Sequence, residues 1–213
     1  MTPLKYIAFD LDGTLADERF DDLVWNHEVP KLYAVRHRIS LEEAKKRVFA
    51  EYYKALYIEK VPEWGDVSYW FKRFDLRNWR KIFGDLKHEI FVYDDAVDTL
   101  QYLSKNYRLI LISSAEQKFL RAKLKTEGLR DYFDYVFSAP STFGLSKKGM
   151  DMYVQVLKKL RVKPEQVLMV GDDHYLDYVV PTSLGMRALH LVRSKKLKGS
   201  HVIHSLKELQ KRY

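Results

Sequence analysis

The chain has 213 residues, 46% apolar and 14% aromatic, with 9 Gly and 6 Pro. That is enough for one folded domain, or a core domain carrying a smaller insertion, and it excludes a disordered chain. With no cysteine, disulfide scaffolds, thiolate metal sites and cysteine nucleophiles are excluded. The net charge is +8 with a pI near 9.4. Its basic residues are dispersed, however, and the densest groups, Lys45-Lys46-Arg47, Lys195-Lys196 and Lys211-Arg212, are short, so nucleic-acid binding is disfavoured.

In chain order, the first apolar run covers residues 5–9, with no secretory-leader pattern before it. No apolar run approaches the roughly 20 residues of a membrane span. A soluble, cytoplasmic protein without a membrane partner is expected. Residues 16–90 have a different texture, holding all four tryptophans and Tyr33, Tyr52, Tyr53, Tyr57 and Tyr69. Ser40 is placed to cap a helix with Glu43 completing a capping box, and Leu41, Ala44, Val48, Tyr52 and Ala55 follow at helical spacing. A second helix is expected over 68–83, after Pro62 and Gly65. No strand is evident, so this span reads as an all-helical insertion whose aromatics pack a small core. Arg36, His37, Arg38 and Lys45 could face an anionic substrate, but a solvated helix face is the expectation.

Further apolar runs at 108–112, 135–137, 166–170 and 187–192 lack strict alternation, which marks strands buried on both faces of a parallel sheet. Helical patterns intervene at 94–105, through Ala96, Val97, Leu100 and Leu103, and at 150–160, through Tyr153, Val154, Leu157 and Leu160. The expected fold is α/β: a doubly wound, Rossmann-like parallel core of residues 1–15 and 91–213, with a helical domain of residues 16–90 inserted after the first strand.

The first run ends in Asp10-Leu11-Asp12-Gly13-Thr14. Acids just past a parallel strand lie at the carboxyl edge of the sheet, where open α/β folds bind ligands. Asp-Gly is also ordinary turn chemistry, but a turn leaves unexplained why Asp10 keeps the strand register. The segment resembles the first motif of the haloacid dehalogenase-like superfamily. Three further stations follow in order: the strand 109–112 ending in Ser113; Lys147 ahead of the helix at 150–160; and Gly171-Asp172, with Asp173 next and Asp177 five residues on. For the third station, spacing favours Lys147 over its neighbour Lys148.

The resemblance implies a magnesium-dependent phosphohydrolase of the phosphatase branch, phosphoglycolate phosphatase-like, with a helical cap of the C1 type over a small phosphorylated metabolite. It makes Asp10 the nucleophile that forms an aspartyl-phosphate and Asp12 the general acid and base. Ser113 and Lys147 would stabilise the phosphoryl oxygens, and Thr14 and Ser114 would complete the phosphate cradle. Asp10, the Asp12 carbonyl and Asp172 would hold Mg2+, an ion that takes oxygen ligands. Asp173 and Asp177 are candidate ligands or supports, with Asp173 as a helix N-cap the competing reading. An acid at position 12 argues against dehalogenation, since a halide leaves without a proton. A phosphomutase or phosphotransferase is the alternative, with a haloacid dehalogenase or a non-catalytic binding module behind it.

Overall fold

A computed structural model describes residues 2–194 and 197–213; Met1 and the basic pair Lys195-Lys196 lie outside the described residues. Five strands occupy the expected runs: β1 Tyr6–Phe9, β2 Arg108–Ser113, β3 Tyr135–Ser138, β4 Val167–Gly171 and β5 Arg187–Leu191. A sixth, β6 Val202–Ile203, is only two residues long, too short to leave a sequence pattern. They form one parallel sheet in the order β3-β2-β1-β4-β5-β6, with β1 between β2 and β4.

Alternate residues of each strand pack to opposite faces. On one face Ile7, Phe9, Leu111 and Val170 meet α6 (Ala96–Leu103), α7 (Gln117–Lys125) and α11 (Leu209–Arg212). On the other, Ala8, Ile110, Ile112 and Met169 meet α8 (Ala139–Phe143), α9 (Met150–Leu160) and α10 (Val180–Ser183). Burial on both faces is why the strands read as unbroken apolar runs. The buried stripe of α9 is Met152, Tyr153, Val156 and Leu157; Val154 and Leu160, expected on it, lie at its border.

Within residues 16–90 the chain forms five α-helices: α1 Arg19–Asp22, α2 Val29–His37, α3 Leu41–Tyr53, α4 Val67–Arg73 and α5 Trp79–Leu86. A π-helical turn, Leu23–Glu28, joins α1 to α2, and another, Lys54–Ile58, extends α3. Ser40 caps α3 by accepting from the Glu43 N–H at 3.2 Å, but Glu43 turns its carboxylate to Arg47 at 2.7 Å, so the capping box is half made. The helix expected over 68–83 is broken between Arg73 and Trp79. Asp75 and Asn78 there take φ of 53° and 67°, the left-handed region that Asp and Asn tolerate best among residues with a Cβ. Phe20, Val24, Trp70, Phe71 and Phe74 build a third apolar cluster, which also takes in Phe119 of α7.

The two ends of this helical segment run side by side. Ala16 and Val92 form an antiparallel bridge, the Asp17 N–H donates to the Phe91 carbonyl at 3.0 Å, and the Tyr93 N–H donates to the Leu15 carbonyl at 3.0 Å. Arg36 of this segment pairs with Asp75 and His37 packs on Tyr33, so these basic residues line a helix face as expected.

Asp95 fastens the C-terminal stretch to the core. It accepts from Arg193 at 3.0 Å, from the Ser205 hydroxyl at 2.7 Å and from the Leu206 N–H at 2.9 Å. Burial opposes its charge, but these donors outweigh burial and hold its carboxyl below the ordinary range. Asp95→Asn should therefore lower the unfolding free energy by about 1–3 kcal/mol at neutral pH. A carboxylate with a lowered folded pKa stabilises above its unfolded value and loses that contribution as pH falls through the folded one. Urea unfolding of both proteins across the acid range should show the difference shrinking toward zero.

Candidate active site

The sheet order places β1, β4 and β2 side by side, so residues beyond their carboxyl ends converge. Asp10 follows β1, Ser113 ends β2, and Asp172 follows β4. Gly13 turns the chain just past Asp10 at φ +76°, and a Cβ built there would lie 2.2 Å from Asp172 Oδ2. A Cβ on Gly171 would lie 2.2 Å from Asp177 Oδ2. Both positions thus need glycine for room, and Gly13 for its backbone as well.

Asp10, Asp172 and Asp177 each offer a carboxylate oxygen, and these oxygens lie within 4.8 Å of one another. A single buried ammonium faces them. Lys148 Nζ is 2.6 Å from Asp10 Oδ1 and 2.6 Å from Asp177 Oδ1, with its side chain 3% exposed. Burial disfavours charge on Lys148, but Asp10 and Asp177 outweigh it and raise its pKa. Burial pushes Asp10 well above the carboxylate range against the pull of Lys148, and the nearby carboxylates add to it. Burial, opposed by the Thr14 hydroxyl and helped by Asp177, pushes Asp172 up to about 6. Three carboxylates against one ammonium leave an excess of negative charge that a hard divalent cation fits, since every donor is oxygen. Asp10 and Asp172 carry the more open oxygens. Asp177 also receives the Tyr153 hydroxyl at 3.3 Å and the Asp173 N–H at 3.2 Å.

The lysine in the cluster is the one the spacing passed over. Lys147 is exposed, whereas Lys148 is drawn inward by its own N–H, which donates to Ser114 Oγ at 3.0 Å. In the bend at 146–149 neighbouring side chains face different ways, Lys148 inward and Lys147 to solvent, and motif spacing does not resolve that. Thr14 is fully buried but donates to Asp172 Oδ1 at 3.1 Å, so its hydroxyl is engaged by a carboxylate and not offered to a phosphate. Asp173 is the N-cap of the π-helical turn His174–Val179, accepting from the Tyr175 and Leu176 N–H groups at 2.8 Å, and is not in the carboxylate cluster. The Asp12 side chain is outside the cluster too: its carboxylate faces Lys123. Ser113 lies at the sheet edge, buried, with Oγ accepting from the Ala115 N–H at 3.0 Å, which leaves its hydroxyl proton to donate.

Lys123 went unread in the sequence. It sits on α7, fully buried, and its ammonium is shared between Asp12 and Asp21 of α1. Its signal in the sequence is a lysine on the apolar side of a helix, three residues after Leu120 and next to Leu124. Two further contacts join the helical segment to the core. Lys118 meets Asp66 at 2.9 Å, and the Trp64 indole N–H donates to the Ser146 carbonyl at 3.3 Å, two residues before Lys148.

The sequence profile of the haloacid dehalogenase-like hydrolases matches residues 4–179. The chain is 24% identical to a GMP/IMP nucleotidase of Escherichia coli (strain K12), over 78% of this chain and 73% of that one. It is 26% identical to a glyceraldehyde 3-phosphate phosphatase of Pyrococcus furiosus, over 89% of this chain and 81% of that one. Among solved structures, a phosphatase of the same superfamily from Thermococcus onnurineus superposes with a TM-score of 0.79 at 28% identity, covering 98% and 97% of the two chains.

The two lysines separate cleanly by stability. Lys148→Ala strands Asp10 and Asp177 without their counter-charge and should cost about 3–5 kcal/mol, whereas exposed Lys147→Ala should stay within about 0.5 kcal/mol. Denaturant unfolding of the two variants measures both.

Proposed function

The chain belongs to the haloacid dehalogenase-like hydrolase family, in its phosphatase branch, and from that membership we propose a magnesium-dependent phosphohydrolase that cleaves a small phosphomonoester through an aspartyl-phosphate on Asp10. One observation carries this reading: a buried carboxylate at the end of the central strand, held by an ammonium and flanked by two more carboxylates. Relatives named for GMP/IMP and for glyceraldehyde 3-phosphate support the substrate class.

In this reading Asp10 Oδ attacks phosphorus and the bond to the ester oxygen breaks. Asp12 gives that oxygen a proton, then takes one from the water that hydrolyses the aspartyl-phosphate, releasing inorganic phosphate and restoring Asp10. Lys148 holds Asp10 in place and faces the charge that develops on the phosphoryl oxygens, with the Ser113 hydroxyl donating alongside. Ser114 acts through the loop, by fixing the Lys148 backbone. Asp10, Asp172 and, on its remaining lone pairs, Asp177 would hold Mg2+, which neutralises charge between the nucleophile and an anionic ester when bound. Asp12, by its carbonyl, completes that proposed set; Lys123 keeps the Asp12 carboxylate turned from the ion and beside the helical segment.

Residues 16–90 act as a cap domain over this edge, excluding bulk water and contacting the leaving group. No described helix is long and apolar enough to cross a membrane, and no step needs a membrane or nucleic acid; a cytoplasmic setting fits. A phosphomutase or phosphotransferase would use the same carboxylates but shield the aspartyl-phosphate from water, and it would yield an isomeric or transferred phosphate. With an aryl phosphate and magnesium, wild-type protein should release inorganic phosphate, and chelator should abolish release. Asp10→Asn should lower kcat by at least about 10³-fold while thermal unfolding stays cooperative. Full activity in that variant, or product without inorganic phosphate, would overturn the assignment.

A further inference from the structure

In the helical segment, Trp25, Tyr52, Leu56, Tyr57, Trp64 and Trp70 wall a cavity of about 420 Å3. We infer that this cavity receives the leaving group of the ester, and that the group it selects is a flat, uncharged aromatic or heteroaromatic ring. The phosphatase reading supplies the phosphoryl end of that substrate; the cavity supplies the rest.

Position is the first support. Trp25 and Asn26 line both this cavity and the depression bounded by Asp12 and Asp21, so the two hollows are neighbours, parted by no more than these side chains. At the other side, Trp64 is tied to Ser146 in the loop that delivers Lys148. The volume lies within the roughly 300–1,000 Å3 of small-molecule sites.

The wall's chemistry narrows the occupant. The Trp70 N–H donates to the Trp64 carbonyl at 2.6 Å, the Trp64 N–H to Ser146, and the Tyr52 hydroxyl to the Trp25 carbonyl at 3.5 Å. The Asn26 amide donates to Asp22 at 2.7 Å. With these donors engaged inside the protein, a hydroxyl-rich sugar entering here would lose water and find few partners beyond the Tyr53 and Tyr57 hydroxyls. A flat ring loses little water and meets ring faces. The faces are preorganised: Tyr52 stands edge-on to Trp25 at 5.7 Å and to Trp70 at 4.6 Å, and Trp25 stacks on Phe119 at 5.3 Å. Tyr57 remains 63% exposed, its ring packed on Tyr53 at 4.9 Å and otherwise open to solvent.

Charge argues against the two other classes. Glu18, Asp21 and Asp22 border the path from Asp12 and repel an anionic leaving group. No carboxylate lines the cavity itself, so a compact cation finds no counter-charge within it.

The test compares kcat/KM for 1-naphthyl phosphate, glycerol phosphate and phosphocholine with magnesium on the full chain. The expected result is at least a tenfold preference for the naphthyl ester, carried mainly by KM. Tyr57→Ala and Trp25→Leu should each shrink that preference at least fivefold. Equal or better use of glycerol phosphate, a preference for phosphocholine, or a ratio unmoved by both variants would overturn the inference while leaving the phosphatase reading intact. Absence of phosphate release from all three esters would instead defeat the phosphatase reading. Calorimetric titration with 2-naphthol then decides the cavity alone: heat of binding in wild-type protein, lost in Tyr57→Ala, sustains it, and no binding overturns it.

Discussion

One buried ammonium among three carboxylates is the constraint around which this molecule is arranged. Lys148 reaches Asp10 and Asp177 at 2.6 Å each, in a place with almost no solvent. Such a group is tolerable only where the charges are paired and their remaining lone pairs occupied. The surroundings meet that demand: Thr14 donates to Asp172, Tyr153 and the Asp173 N–H to Asp177. Two glycines let these carboxylates come close to the backbone of the neighbouring loop. The strands' parallel order then matters for chemistry as well as for packing, because it is what brings the ends of β1, β2 and β4 to one edge.

The sequence made the sheet readable because strands buried on both faces leave runs of apolar residues, and the carboxylates at their ends keep register with them. Asp10, Asp172 and Asp177 came together as the motif spacing required. What stayed hidden depends on rotations too small to show in spacing. Lys147 and Lys148 differ by one position in a loop, and the bond from the Lys148 N–H to Ser114, with the Lys148 ion pairs to Asp10 and Asp177, decides between them. Thr14 and Asp173 are polar residues beside a charged site, and both have nearby structural partners that absorb their hydrogen bonds. In residues 68–83 helical periodicity continued through a break that Asp75 and Asn78 make with left-handed backbone. Lys123 was concealed because pattern reading treats a lysine on a helix as solvated.

The aromatics of the helical segment serve two ends that composition does not separate. Trp70, Phe71 and Phe74 fill the segment's own apolar cluster, as core residues do. Tyr53 and Tyr57 are at least 60% exposed, and Trp25 and Trp64 stand between interior and cavity. Besides the packing of Phe119, three polar contacts among the described residues fasten the segment to the sheet domain: Lys118 with Asp66, Lys123 with Asp21, and Trp64 with Ser146. Two of the three end beside residues of the carboxylate site, so packing of the segment and positioning of the site are mechanically linked.

The paired strands at Ala16 and Val92 have an architectural consequence. Because departure and return lie one hydrogen-bonded step apart, the sheet experiences the intervening chain as a loop whose closure is already fixed, whatever its length. Helices can be lengthened, shortened or swapped beyond that gateway without altering strand order. Phe119, the basic residues of α7 and the loop at Ser146 would register the exchange. Variation in what this scaffold accepts can thus accumulate on one side of the gateway while the apparatus on the other side stays constant.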